Sequence, residues 1–294
     1  MAARESTPIA PYTLGSPSAP LIAIPVAGGR QPTKDGDIAL KSTLDLSPSS
    51  LQAAVCGLSS DELAVVMPKE SATASTDRSE SWAYEMRWQA QPILDFLYLG
   101  PTAAVKDVDF MRNSQITLLV IIRDSRMRNT KAQVAERISS ELGFQIRYAY
   151  VDGTQALIHD IPSLIEDINR HILSVYNSTN GSCRGKVLIT CETGNGRSAA
   201  VAAAYLMQLY GRDVVTVVQF MILQRFCVNF DEDIKQMLTT WAGLLKAKAS
   251  GLSHDLPNRA KRRRDDDVID QEMEEDGQRF TGRENFAPFI DNEI

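Results

Sequence analysis

The sequence predicts an α/β domain with a central, mostly parallel sheet flanked by helices, and three observations carry that expectation. Short β-rich runs alternate with helix-like stretches from Trp82 onward. The apolar run KVLIT (186–190) leads through a seven-residue loop into an Ala-rich stretch of helical character. Both ends of the chain lack the apolar content of a core. With 294 residues, 44% of them hydrophobic and 23% charged, the chain suffices for one core of about 150 to 200 residues with extensions on either side.

Residues 1–80 are rich in Ser, Pro, Ala and Thr, with short apolar clusters such as Leu21 to Val26 and Leu63 to Met67. Such a segment buries too little to offset its ordering entropy. It is expected to be a mostly disordered extension with one short piece docked on the domain. The domain itself is expected over 82–250. Its strands are ILDFLYLG (93–100), ITLLVIIR (116–123), FQIRYAYVD (144–152) and KVLIT (186–190). Helices are expected over 103–112, 129–142, 161–176 and 198–210, the last closed by Gly211 at the left-handed C-terminal position. The remainder, 251–294, reads as a disordered charged tail. Within it KRRR (261–264) fits a nuclear localisation signal or a simple solvated charge run.

Composition narrows the function classes. A net charge of −6 gives no overall reason to expect nucleic acid or a membrane surface as the main partner. Four cysteines, Cys56, Cys183, Cys191 and Cys227, include no CxxC pair, which favours reduced thiols in the cytosol or nucleus over a disulfide framework or a zinc site. No metal or organic cofactor is expected. The N-terminus has no long apolar h-region, and no run of 18 apolar residues occurs, so neither secretion nor a membrane span is expected. The sequons at Asn177 and Asn180 then read as chance matches.

The chemistry concentrates in VLITCETGNGRSAAV (187–201). A loop between a strand's C-terminal end and a helix N-terminus presents unpaired N–H groups and a positive dipole end, and so favours anions. Gly194, Gly196 and Ala199 match a dinucleotide fingerprint, but that motif needs an acid about 20 residues on, and none stands between Asp213 and Asp231. A Walker loop needs a lysine that is absent. Cys191 and Arg197 form a Cys-x5-Arg loop instead. Backbone N–H groups of Glu192, Thr193, Gly194, Asn195 and Gly196 can surround a phosphate while the Arg197 fork adds charged donors. Gly194 and Gly196 are expected to allow the close approach and φ values of such a nest. The helix terminus and Arg197 favour a Cys191 thiolate, which can attack phosphorus, and Ser198 can hydrogen-bond the sulfur as it leaves. The plain alternative is a tight turn around a buried structural cysteine.

ITCETGNGRSAAVAAAYLM resembles the VHCxxGxxRS signature of the cysteine-dependent dual-specificity protein phosphatases. WAYEMRWQAQPILDFLYLGPTAA (82–104) is similar to the N-terminal segment of the STYX-type phosphatase-like proteins, and QRFCVNFDEDIKQML (224–238) resembles the family's RRFCINPN helix entry. The resemblance spans about residues 82–250. It implies a four- or five-stranded sheet flanked by helices and phosphorylated protein side chains as ligands, phosphotyrosine and also phosphoserine or phosphothreonine. The N-terminal extension offers a further surface for protein partners.

Departures from the family pattern carry as much weight. Thr190 stands where the family has histidine, and Gln155 falls where a count of seven from Tyr148 places the general acid. Glutamine donates no proton to a leaving oxygen. Asp152 and Asp160 are the remaining carboxylates, each with a structural reading, Asp152 as a strand-end turn residue and Asp160 in a helix N-cap region. His159 reads as an exposed loop residue. STYX-type relatives replace the cysteine by glycine, whereas this chain keeps Cys191. Two expectations follow: a phosphoprotein-binding module with weak or absent dephosphorylation, or an active phosphatase with Cys191 as nucleophile. Glu192 either discourages doubly phosphorylated peptides or is simply solvated. Arg225, Phe226, Asn229 and Phe230 either brace the loop from behind or set the entry of the next helix. Phe230 and Asp231 replace the family's Pro and Asn there. Cys183 or Cys227 would pair with Cys191 only if folding brings them close.

Overall fold

The computed structural model describes residues 45–46, 52–67, 73–74 and 81–254. Most of the expected N-terminal extension, the charged tail past 254 and KRRR (261–264) lie outside the described residues.

Two short strands, β1 (Asp45–Leu46) and β2 (Thr73–Ala74), pair antiparallel. Helices α1 (Gln52–Cys56) and α2 (Ser60–Val66) fall between them in sequence. A capping box starts α2: the Ser59 hydroxyl accepts from the Glu62 N–H while the Glu62 carboxylate accepts from the Ser59 N–H. Leu63, Val66 and Met67 are buried in the main core. Arg184 donates to the carbonyls of Val65 and Val66, and Gln208 to that of Val55. Residues 52–67 are therefore packed onto the domain.

The expected strand 93–100 is interrupted. Strand β3 (Gln91–Pro92) and strand β4 (Leu97–Pro101) are antiparallel neighbours, and between them the N–H groups of Ile93 and Leu94 both donate to the Leu97 carbonyl, which turns the chain. The expected helix 103–112 is also two pieces, a 3-10 turn over Thr102–Lys106 and helix α3 (Val108–Asn113). Asp107 divides them because its carboxylate accepts from the Phe110 N–H and starts a new helix. Strand β5 (Leu118–Asp124), helix α4 (Gln133–Leu142), strand β6 (Gln145–Val151) and helix α5 (Leu157–Ser178) follow. Helix α4 begins later than expected, after a 3-10 turn at Ser125–Met127, and α5 extends beyond 161–176 at both ends. Strand β7 (Val187–Cys191), α6 (Arg197–Tyr210), α7 (Val214–Gln224) and α8 (Glu232–His254) complete the order.

The sheet runs β3-β4-β7-β5-β6, with β3 antiparallel and the other four strands parallel. All five residues of β7 are buried, as a central strand covered on both faces requires. In α6 the run Ala199 to Ala204 is wholly buried, and its small side chains let the helix lie close to the sheet. Gly211, at φ 62°, closes α6 as expected. The parallel strands all end on one edge, at Pro101, Asp124, Val151 and Cys191, which in open α/β sheets is the edge where ligands bind.

Candidate anion-binding loop

The loop 191–197 closes around the Cys191 sulfur. The Ser198 hydroxyl donates to Sγ at 3.0 Å and the Gly194 N–H at 3.3 Å. Burial of Cys191 works against its thiolate. The Ser198 hydroxyl and the N–H groups of Ser198, Gly194 and Thr193 outweigh it and hold the thiol below its ordinary range. Arg197 opens α6, so the helix N-terminus and its dipole face the same space.

Gly194 is required twice over. Its φ is +74°, and a Cβ built there meets the Gly100 carbonyl carbon at 2.2 Å and the Pro101 nitrogen at 2.4 Å. The loop therefore lies directly on the end of β4. Gly196 has φ −109° and ψ −93°, and a Cβ there would meet nothing nearer than Ile234 Cδ1 at 3.8 Å.

Thr190 is fully buried and does not act as a charged partner of the cysteine. Its hydroxyl donates to the Val120 carbonyl on β5 at 3.0 Å. The Thr102 hydroxyl lies 3.3 Å from that of Thr190 and 3.1 Å from the Cys191 carbonyl. Two threonines thus tie the end of β7 to β5 and to the turn after β4.

Behind the loop, Arg225 is fully buried and donates to Gly194 O and Asn195 Oδ1. The Asn229 N–H donates to Asn195 O at 2.9 Å and the Cys227 thiol lies 3.3 Å from Asn195 Oδ1. The bracing alternative therefore holds for Arg225 and Asn229. Phe226 is half-exposed against Trp82, with ring centroids 5.9 Å apart, and Phe230 belongs to the core. Asp231 accepts from the Ile234 N–H and so caps the entry of α8. The four cysteines are free thiols, and Cys183 is exposed beside Thr179.

Among the described residues no carboxylate is hydrogen-bonded to the Cys191 sulfur. Asp160 lies within the first turn of α5, not ahead of the helix, and its side chain makes no hydrogen bond or ion pair among the described residues. Asp152 is exposed just past β6 and accepts from the Ser125 hydroxyl. The Gln155 amide donates to Asp233 O at 3.0 Å, pinning that loop to α8. Sequence reasoning missed Asp124, at the end of β5. With Thr102, Ile122, Arg123, Met127, Glu192 and Arg197 it lines a pocket of about 280 Å³ beside the loop. Hydrogen bonds from Arg126, and then the charge of Arg197, hold its carboxyl well below the usual carboxylate range. The signal available was its place at a strand's C-terminal end, where such sites gather. Glu192, at the rim, is exposed.

The family model described as "Dual specificity phosphatase, catalytic domain" matches residues 97–243. The chain belongs to the dual specificity phosphatase family. Serine/threonine/tyrosine-interacting protein B of Xenopus laevis is 33% identical over 179 residues, covering 58% of this chain and 73% of that one. Dual specificity protein phosphatase 5 of Homo sapiens is 29% identical over 116 residues, covering 40% and 26%. The crystal structure of the human tyrosine phosphatase-like serine/threonine/tyrosine-interacting protein aligns with a TM-score of 0.43 at 22% identity, over 53% of this chain and 97% of that one. The match to the family begins at the first residue of β4 and takes in the whole loop. No described helix is long and apolar enough to cross a membrane.

Proposed function

We propose that this member of the dual specificity phosphatase family grips a phosphorylated protein side chain in the loop Cys191–Arg197 and dephosphorylates it slowly or not at all. What supports the reading is the loop closed around the Cys191 sulfur together with a glutamine at the counted acid position. Gln155 occupies the counted acid position and spends its amide on Asp233 O. Asp124, the carboxylate lining the adjacent pocket, is held below the usual carboxylate range by its hydrogen bonds from Arg126.

The chemistry available follows from those groups. The Cys191 thiolate attacks phosphorus, an S–P bond forms and the bond to the leaving oxygen breaks. Without a positioned acid that oxygen departs as an anion. A phenolate, with a conjugate-acid pKa near 10, tolerates this better than an alkoxide. Loss of the acid costs roughly 10² to 10⁴ in rate. Water then cleaves the S–P bond while Ser198, 3.0 Å from Sγ, stabilises the departing thiolate.

Purified chain and its Cys191→Ser and Arg197→Ala forms are assayed on an aryl phosphate and on phosphotyrosine peptides. Slow turnover of the aryl phosphate that depends on Cys191 is expected, together with peptide binding that Arg197→Ala abolishes. Turnover of the peptides at about 1 s⁻¹ or faster, the ordinary enzymatic range, overturns the reading in favour of an active phosphatase. The lowered Cys191 thiol is the observation that favours that second reading.

A further inference from the structure

Arg225 is the largest fully buried side chain among the described residues, and no carboxylate pairs with it there. Its guanidinium makes five hydrogen bonds, all to neutral acceptors. On one side are Gly194 O at 3.2 Å and Asn195 Oδ1 at 3.1 Å, both in the anion-binding loop. On the other are Arg87 O at 3.0 Å, Gln89 O at 2.8 Å and the Gln91 amide oxygen. One planar fork thus fastens the loop to the segment ahead of β4.

Hydrogen bonds satisfy the five donors but leave the charge uncompensated. A guanidinium stays protonated even when buried, and removing it from water is expensive unless an anion lies near. The groups that face it electrostatically are Cys227 and Cys191, which favour its charge, and Arg87, which opposes it. Arg197 stands on the helix side of the same loop, with Asp124 and Arg126 beyond it at the end of β5. Of these two thiols, burial pushes Cys227 up although the Arg225 charge works the other way, whereas hydrogen bonds from Ser198, Gly194 and Thr193 hold Cys191 below its ordinary range.

We propose that Arg225 is a positioning residue for the loop: its fork fixes Gly194 and Asn195 so that backbone N–H groups point at an anion, and its charge is balanced by the Cys191 thiolate and by an oxyanion held in front of it. The inference rests on the loop being an anion cradle, and it does not depend on what happens to the ligand afterwards. It makes Arg225 a second cation of the site, placed behind the loop where the ligand never touches it.

Gln91 allows charge to be separated from scaffolding. Gln91→Glu keeps an oxygen acceptor for Arg225 and adds a carboxylate that competes for its charge. It also loses the bond that the Gln91 amide donates to Met86 O at 2.8 Å. Gln91→Met loses that bond and also the side-chain oxygen that accepts from Arg225, without adding charge, and so is the control for lost scaffolding. Two readouts are taken on the full chain: the pH midpoint of Cys191 alkylation by iodoacetamide, followed on its own peptide, and the dissociation constant of orthovanadate. In Gln91→Glu the midpoint should rise by about one unit and vanadate binding should weaken roughly tenfold, the equilibrium factor that one unit represents. In Gln91→Met the midpoint should stay at the wild-type value. Arg225→Lys keeps the charge and loses the fork, so it should retain the midpoint and lose vanadate affinity. A Gln91→Glu form with both readouts within twofold of the control makes Arg225 a structural strut only and overturns the proposal. Failure of the wild-type chain to bind vanadate sinks the cradle reading itself, while the alkylation midpoints still decide whether Arg225 serves the thiolate.

Discussion

Replacing Gly194 by alanine tests whether the loop's conformation, and not merely its composition, makes the site. The added methyl would sit 2.2 Å from the Gly100 carbonyl carbon, whereas ordinary contact begins at 3.4 Å, so loop and strand must separate by more than an ångström. Both contacts are backbone atoms and cannot swing aside. A left-handed φ adds about 1–2 kcal/mol for a residue with a Cβ. The separation also stretches the Gly194 N–H to Cys191 Sγ contact of 3.3 Å and the Arg225 to Gly194 O bond of 3.2 Å, interactions with charged groups that contribute about 1.5–3 kcal/mol each. The total is about 4–8 kcal/mol if neither bond re-forms, and about half that is a reasonable floor after relaxation. For a domain of this size each kcal/mol lowers Tm by about 2–4 °C. A fall of at least about 4 °C is therefore expected by thermal melting, with orthovanadate affinity, by calorimetry, reduced about a hundredfold through the misplaced donors. Gly196→Ala is the companion, since its methyl meets nothing within ordinary contact distance except Ile234 Cδ1, and it should melt close to wild type. If Gly194→Ala binds vanadate within twofold of wild type and melts with it, the close approach to β4 does not shape the loop.

Ser198→Ala removes the 3.0 Å hydroxyl contact to Sγ, so the Cys191 alkylation midpoint should move up by about one unit, measured against the exposed Cys183 as internal standard. The direction is fixed by linkage. Cys191 in the folded chain lies below its ordinary value, so its thiolate contributes stability above that value, and the contribution is lost as pH falls through the folded midpoint. In Ser198→Ala that window should narrow from below, visible as a smaller difference between urea midpoints at about pH 9 and about pH 6. Thr190→Val leaves the Thr102 hydroxyl without one partner and strips the Val120 carbonyl of a 3.0 Å donor inside the sheet, which should destabilise by about 1–3 kcal/mol in urea unfolding. Equal stability in the two proteins would mean that water replaces the threonine.

The elements that the sequence made legible are those whose signal is local. VLIT reads as a central strand because it is apolar without alternation, and SAAVAAAYLMQLY followed by Gly211 announces both a helix and its end. What depended on distant partners was not legible. The strand 93–100 looks continuous until the Leu97 carbonyl, accepting from both Ile93 and Leu94, is seen to turn it. Gly194 and Gly196 are equivalent in the string, and only the end of β4 makes one of them indispensable. Arg225 reads like any charged residue at a helix boundary. Its five acceptors come from residues 87–91 and 194–195, more than 130 and about 30 positions away, and no spacing rule links them. Asp124 went unnoticed because its significance is an edge of the sheet shared with Cys191, which exists only once β5 and β7 pair.

The turn that carries Arg87 and Gln89 bears on where this protein can be cut. The family-model match starts at Leu97, but the support of the loop starts earlier, because three acceptors of the Arg225 guanidinium lie upstream of that residue. An expression fragment trimmed to 97–243 would keep Cys191, Arg197 and Ser198 and yet strand a buried cation with only the two loop oxygens to hold it. A feeble fragment of that kind would report on the trimming and not on the chemistry. Whether this loop is a working catalyst therefore has to be decided on a chain that begins ahead of Trp82.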